Sequence, residues 1–136
     1  MVRSGQPITH ILIPLDGSPL AEQVLEPALT AAANLGAHVT LLRVVEPLAI
    51  PESTVQYDWG IRNGDKEQWN QQGKSEAEIY LKQVARRYGH HLLELQQVVI
   101  NGAAEEKILA YAQLHNMDLV AMSTHGHTGL RRWLYG

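Results

Sequence analysis

The stretch THILIPLDGS, residues 9–18, decides the fold. Its apolar run, Ile11 to Leu15, has no polar alternation, which predicts a strand near residues 9–15 buried on both faces. Asp16, Gly17 and Ser18 end it abruptly. Ser18 is placed to cap a helix, with Pro19 at its first position and Glu22 and Glu26 on its early turns. That helix should run through LAEQVLEPALTAAANL to Gly36, kinked at Pro27, which cannot donate an internal hydrogen bond.

Outward from there, AHVTLLRVVEP predicts a second strand near 38–45, closed by Pro47. Residues 46–66 hold Pro47, Pro51, Gly60 and Gly64 without clear periodicity, and a connection that long is usually functional or disordered. A helix is expected over roughly 67–88, with Ala77, Tyr80, Leu81, Val84 and Tyr88 on one face. LLELQQVVI is a third strand, and Gly102 turns the chain into a helix with Ile108, Leu109 and Ala112 inside. DLVAM is a short fourth strand, and a last helix is expected from near Thr128.

The strand–helix alternation predicts an α/β fold: one domain over residues 1–136, an open parallel sheet with helices on both faces, Rossmann-like. In such sheets ligands bind beyond the carboxyl ends of the strands, where the strand order reverses. Two strand ends carry polar, glycine-bearing loops, PLDGS and STHGHTG. If the first and fourth strands are neighbours, these loops flank one crevice.

At 136 residues, 45% hydrophobic and 18% charged, the composition fits one globular core. The net charge of -3 and the lone pair Arg131–Arg132 give no basic stripe, so nucleic acid is not an expected partner. With no cysteine, disulfides, thiolate metal sites and cysteine nucleophiles are excluded. The opening MVRSGQPITHILIPLDG matches neither a signal peptide nor a membrane span, so a cytoplasmic location and no membrane are expected. GxxxxGK[ST], GxGxxG after the first strand and GxSxG are all absent.

ILIPLDGSPLAEQVLEPALTAAANLGAHVTLLRVVEP is similar to the opening of the universal stress protein family, and NGAAEEKILAYAQLHNMDLVAMSTHGHTGLRRWLYG resembles its second half. ATP-binding members of that family carry Gly-x-x-Gly, nine residues, then Gly-[Ser/Thr]. Here Ser123 to Gly126, His127 to Tyr135 and Gly136 occupy that frame. Ser123 stands where the pattern has its first glycine, and the sequence ends before the Ser/Thr. The resemblance implies the adenine nucleotide alpha hydrolase-like version of the fold, with a fifth strand that this sequence is expected to lack.

The resemblance implies an ATP site made by Pro14, Leu15, Asp16, Val44, Met122, Ser123, His125, Gly126, Gly129 and Gly136, with Mg²⁺ carried by the phosphates and Asp16 as its candidate protein contact. Gly126 and Gly129 suit phosphate because glycine lets backbone N–H groups approach an anion; a plain strand-to-helix turn is the alternative. Asp16 has its own alternative, an Asx turn leading into the Ser18 cap. His125 and His127 lack an evident third zinc ligand, and His90–His91 reads as a solvated turn. The implied function is an ATP-binding, nucleotide-responsive regulator in stress response, a homodimer acting on an unidentified protein partner. The rivals are a dimerising interaction module without nucleotide and a slow ATP hydrolase. No catalytic residue is assigned.

Overall fold

The computed structural model describes residues 7–47, 63–89, 95–123 and 130–134. The strand predicted first is β1 (His10–Pro14), and Ser18 caps α1 (Pro19–Glu22), its Oγ accepting from Ala21 N–H at 3.1 Å. The helix breaks at Gln23–Val24 and resumes as α2 (Leu25–Leu35). The break lies one turn ahead of Pro27, whose missing N–H leaves the Gln23 carbonyl without its helical partner. Gly36 then ends α2 with φ 66°, a left-handed cap that glycine adopts without strain.

The remaining elements are β2 (His38–Val45), α3 (Asn63–Tyr88), β3 (Leu95–Asn101), α4 (Ala104–Leu114), β4 (Leu119–Ser123) and β5 (Leu130–Leu134). The sheet order is β3-β2-β1-β4-β5. β1 pairs in parallel with β2 and β4, and β2 with β3. Going from β1 the chain builds outward through β2 and β3, then returns to lay β4 on the other side of β1. The strand order therefore reverses between β1 and β4, whose carboxyl ends lie side by side.

Two expectations at the carboxyl end are corrected. The sheet has a fifth strand, and the helix expected from near Thr128 is instead β5, antiparallel to β4 from Leu119↔Leu134 to Ser123↔Leu130. A short Leu-Arg-Arg-Trp-Leu segment gains little as an isolated helix, because nucleation is costly. Laid along β4, the same residues satisfy backbone groups that an open sheet edge would leave unpaired.

Both faces of the sheet are buried, as the unbroken apolar run of β1 requires. Ile11, Ile13, Val39, Leu41 and Ala121 face α1, α2 and α3, meeting Leu25, Ala32, Leu81 and Val84. Leu12, Leu42 and Val120 face the other way onto Tyr111, Ala112 and Met117. Ala77, Leu81 and Val84 are buried on α3 as its periodicity predicts. On α4, by contrast, Leu109 is 37% exposed and Tyr111 takes the inner position expected for it. Among the described residues no helix is long and apolar enough to cross a membrane.

Candidate functional site

A cavity of about 160 Å³ opens at the carboxyl ends of β1, β2 and β4. Its walls bring together Pro14, Leu15 and Asp16 from the end of β1, Val44 from β2, and Met122 and Ser123 from β4. Each had been singled out from the sequence. His125, Gly126, Gly129 and Gly136 lie outside the described residues.

Backbone bonds hold the walls in place. Leu15 N–H donates to the Leu42 carbonyl at 2.8 Å, extending β1 past its last strand residue, and Gly102 N–H donates to the Val45 carbonyl at 3.0 Å. Gly102 has φ 144°, a conformation that favours glycine, and it turns the chain from β3 into α4. Ala104 and Ile108 of α4 complete the cavity with Ala21 and Leu42. The helical period places Ile108 in the core, and in the structure it is also a cavity wall. Ala103 at the N-cap of α4 makes no side-chain cap, so the amino end of this helix, with Glu105 and Glu106 in its first turn, brings backbone N–H groups to the same wall.

Asp16 does two things at once. Its Oδ1 accepts from Ser18 N–H at 2.8 Å, the Asx turn that leads into the Ser18 cap, while the carboxylate stands exposed at the cavity rim. Partial burial pushes its carboxyl up. The Ser18 hydroxyl and N–H, its own backbone N–H and the Arg43 guanidinium together outweigh that and hold it below the usual carboxylate range. Asp16 is therefore anionic at neutral pH. The Ser123 hydroxyl is the opposite case: Oγ is buried, lines the cavity, and has no hydrogen-bond partner among the described residues. A buried hydroxyl left unpaired carries a desolvation penalty that a ligand group can relieve.

Behind the turn lies a feature the sequence did not reveal. Arg43, on β2, sends its guanidinium to the α3 side, against Gly17 and over the ring of Tyr80 at 5.3 Å from the centroid. Gly17 has φ 86°, and any Cβ there would collide with Arg43 Nη1. Arg43 Nε and the Tyr80 hydroxyl are both buried without hydrogen-bond partners among the described residues. Burial and the nearby Glu22 carboxylate push the Tyr80 phenol up to about 12. An arginine inside an otherwise apolar strand was the available signal, but its partner Gly17 is far away in sequence.

An open, mostly parallel α/β sheet with helices on both faces and a cavity at its reversal point is a fold of the doubly wound class. The universal stress protein family model matches residues 7–136, and the chain belongs to that family. It is 26% identical over 137 residues to universal stress protein MJ0531 of Methanocaldococcus jannaschii, covering 100% of this chain and 76% of that protein. Among solved structures, UspA from Lactobacillus plantarum superposes with TM-score 0.70 at 21% identity, over 90% of this chain and 83% of its own. A universal stress protein in complex with cAMP superposes with TM-score 0.54 at 14% identity, over 90% of this chain and 78% of its own.

Proposed function

We propose that this chain binds an adenine nucleotide, ATP in the first instance, in the crevice between the ends of β1 and β4, and acts as a nucleotide-responsive regulator. The observation that carries the reading is the convergence of Pro14, Leu15, Asp16, Val44, Met122 and Ser123 on one cavity at the reversal of strand order. The family membership supports it, as does the cAMP complex of a protein with this fold.

The chemistry of the walls fits the parts of such a ligand. The cavity volume, about 160 Å³, is below the roughly 300 Å³ of ordinary small-molecule pockets. It accommodates the flat base against Pro14, Leu15, Val44 and Met122, with the sugar and phosphates toward the rim. Asp16 accepts from a ribose hydroxyl or the base edge. The uncapped amino end of α4 and the Ser123 hydroxyl donate to an anionic group. Mg²⁺ would travel with the phosphates, largely hydrated, with Asp16 as the nearby carboxylate. Titration of ATP into isotopically labelled protein tests the reading: amide shifts should centre on Leu15, Asp16, Val44, Met122 and Ser123. Shifts elsewhere, with these unmoved, would remove it.

A second reading, a dimerising module without nucleotide, is favoured by one observation. β5 lies at the end of the sheet order, so its outer edge has no strand partner among the described residues, and such edges template pairing with another chain. Sedimentation with and without ATP separates the two readings: a dimer unaffected by nucleotide, from a chain that takes up none, favours the module.

A further inference from the structure

The turn that carries Asp16 has a cation behind it that the nucleotide reading does not use. Side chains alternate along a strand, so Val44 faces the cavity while Arg43, its neighbour on β2, reaches the opposite face of the sheet. There the guanidinium packs against Gly17 and over the Tyr80 ring of α3, 5.3 Å from its centroid, within the range of a cation–π contact. Among the described residues it forms no direct ion pair with a carboxylate, and its Nε is buried without a hydrogen-bond partner. The ring and the packing, not an anion in contact, hold this charge in place.

Asp16 is one residue from Gly17, so it feels Arg43 both through packing and through space. The guanidinium occupies the space beside the turn, while Leu42, its other neighbour on β2, accepts from Leu15 N–H at 2.8 Å on the turn's near end. Three successive residues of one strand thus supply a backbone acceptor, a buttress and a cavity wall. Burial raises the Asp16 carboxyl; the hydrogen bonds of Ser18 and of its own backbone lower it, and the Arg43 charge adds a further pull downward. Glu22, Arg43 and Asp16 all act on the Tyr80 phenol, so the four groups share one electrostatic neighbourhood. An anionic ligand entering beside Asp16 meets a like charge, and a fixed cation behind that carboxylate offsets the repulsion. An uncharged ligand meets no such repulsion.

We infer that Arg43 is a positioning residue for the ligand of this crevice, an inference that rests on the nucleotide reading above. It acts without touching the ligand. The guanidinium supports the Gly17 turn from behind and offsets the charge of Asp16, so that the crevice favours an anionic nucleotide over an uncharged nucleoside. Tyr80 serves the same end by seating the guanidinium.

Titration of the full chain with ATP plus Mg²⁺ and, separately, with adenosine tests it, each followed by the amide shifts of Asp16, Val44 and Ser123. Arg43→Met should weaken ATP by about threefold to tenfold, the scale of one unit charge acting over several ångströms near a protein surface, and adenosine much less. Arg43→Lys, which keeps the charge without the planar fork, should restore most of the preference for ATP. In the ligand-free protein the Asp16 carboxyl should titrate at higher pH in Arg43→Met and close to the parent in Arg43→Lys. Arg43→Gln, polar and similar in length, takes the place of the methionine variant if that chain does not fold. Equal weakening of the two ligands, or an Asp16 titration unmoved by loss of the cation, overturns the inference and leaves Arg43 a packing residue. A parent chain that takes up neither ligand removes the nucleotide reading and the inference with it, an outcome read from the parent alone.

Discussion

The guanidinium of Arg43 lies over the ring of Tyr80, its central carbon 5.3 Å from the ring centroid, and its other flank rests on Gly17. This contact joins three elements: β2 through Arg43, α3 through Tyr80, and the turn that carries Asp16. A Cβ at position 17 would meet Arg43 Nη1 and, at φ 86°, would also strain the backbone.

Gly17→Ala is therefore expected to destabilise the fold by about 1–3 kcal/mol, the cost of holding an L-residue at an unfavourable positive φ plus displacement of Arg43. Urea denaturation measures it. Arg43→Ala in the same background should restore only part of the loss, since the backbone strain remains. A Gly17→Ala chain as stable as the parent would contradict the contact.

Ser18→Ala removes the cap of α1 and is expected to cost about 1 kcal/mol. The same substitution deletes the hydroxyl that helps hold the Asp16 carboxyl low, so the Asp16 carboxyl should titrate at higher pH. A group depressed on folding contributes stability above its unfolded value, near 3.9, and loses it as pH falls through the folded value. The parent should hence show the steeper loss of stability on acidification, and the Ser18→Ala chain a shallower one. NMR titration of Asp16 in both proteins reads the shift directly.

The Tyr80 phenol, pushed up to about 12 by burial and by Glu22, should remain protonated when ordinary tyrosines ionise. A raised value gives a contribution that is whole below the unfolded value, near 10, and declines as pH rises toward the folded one. Stability should fall between these two values, and Tyr80→Phe should flatten that fall. Difference absorbance of tyrosinate in parent and Tyr80→Phe checks the assignment; an ordinary titration of Tyr80 would contradict it.

Ser123→Ala separates stability from function. Its buried Oγ has no partner among the described residues, so its removal should leave the fold as stable or raise stability by up to about 1 kcal/mol. If the hydroxyl serves the ligand, the same variant binds nucleotide more weakly. Thermal unfolding and a binding titration on the one variant decide, and a variant that is both less stable and equally tight would contradict the role given to Ser123.

Local chemistry made the first half of the chain readable. The apolar run of β1, the Asp-Gly-Ser-Pro turn and Pro27 each act through neighbours a few residues away, and the strand, cap and helix break lie where they point. The strand walls of the cavity were legible only through the family resemblance, since by sequence alone Pro14, Leu15 and Val44 read as core residues; the neighbouring strand ends bring them together. Ala104 and Ile108 were not, because the placement of α4 over the cavity depends on the crossover from β3. β5 was misread because Leu-Arg-Arg-Trp-Leu has no decisive period and its state depends on the open edge of β4, a nonlocal partner. The link between Arg43 and Gly17 is nonlocal in the same way, and the close approach of the guanidinium to position 17 makes it visible.

The central claim is that the crevice beside Asp16 holds an adenine nucleotide, and calorimetric titration of ATP with Mg²⁺ into the chain and into Asp16→Ala tests it most directly. Micromolar binding, about -8 kcal/mol, is expected in the parent and its loss in the variant. No binding heat in the parent, together with no competition against a fluorescent adenine nucleotide, would contradict it and leave the β5 edge as the functional surface.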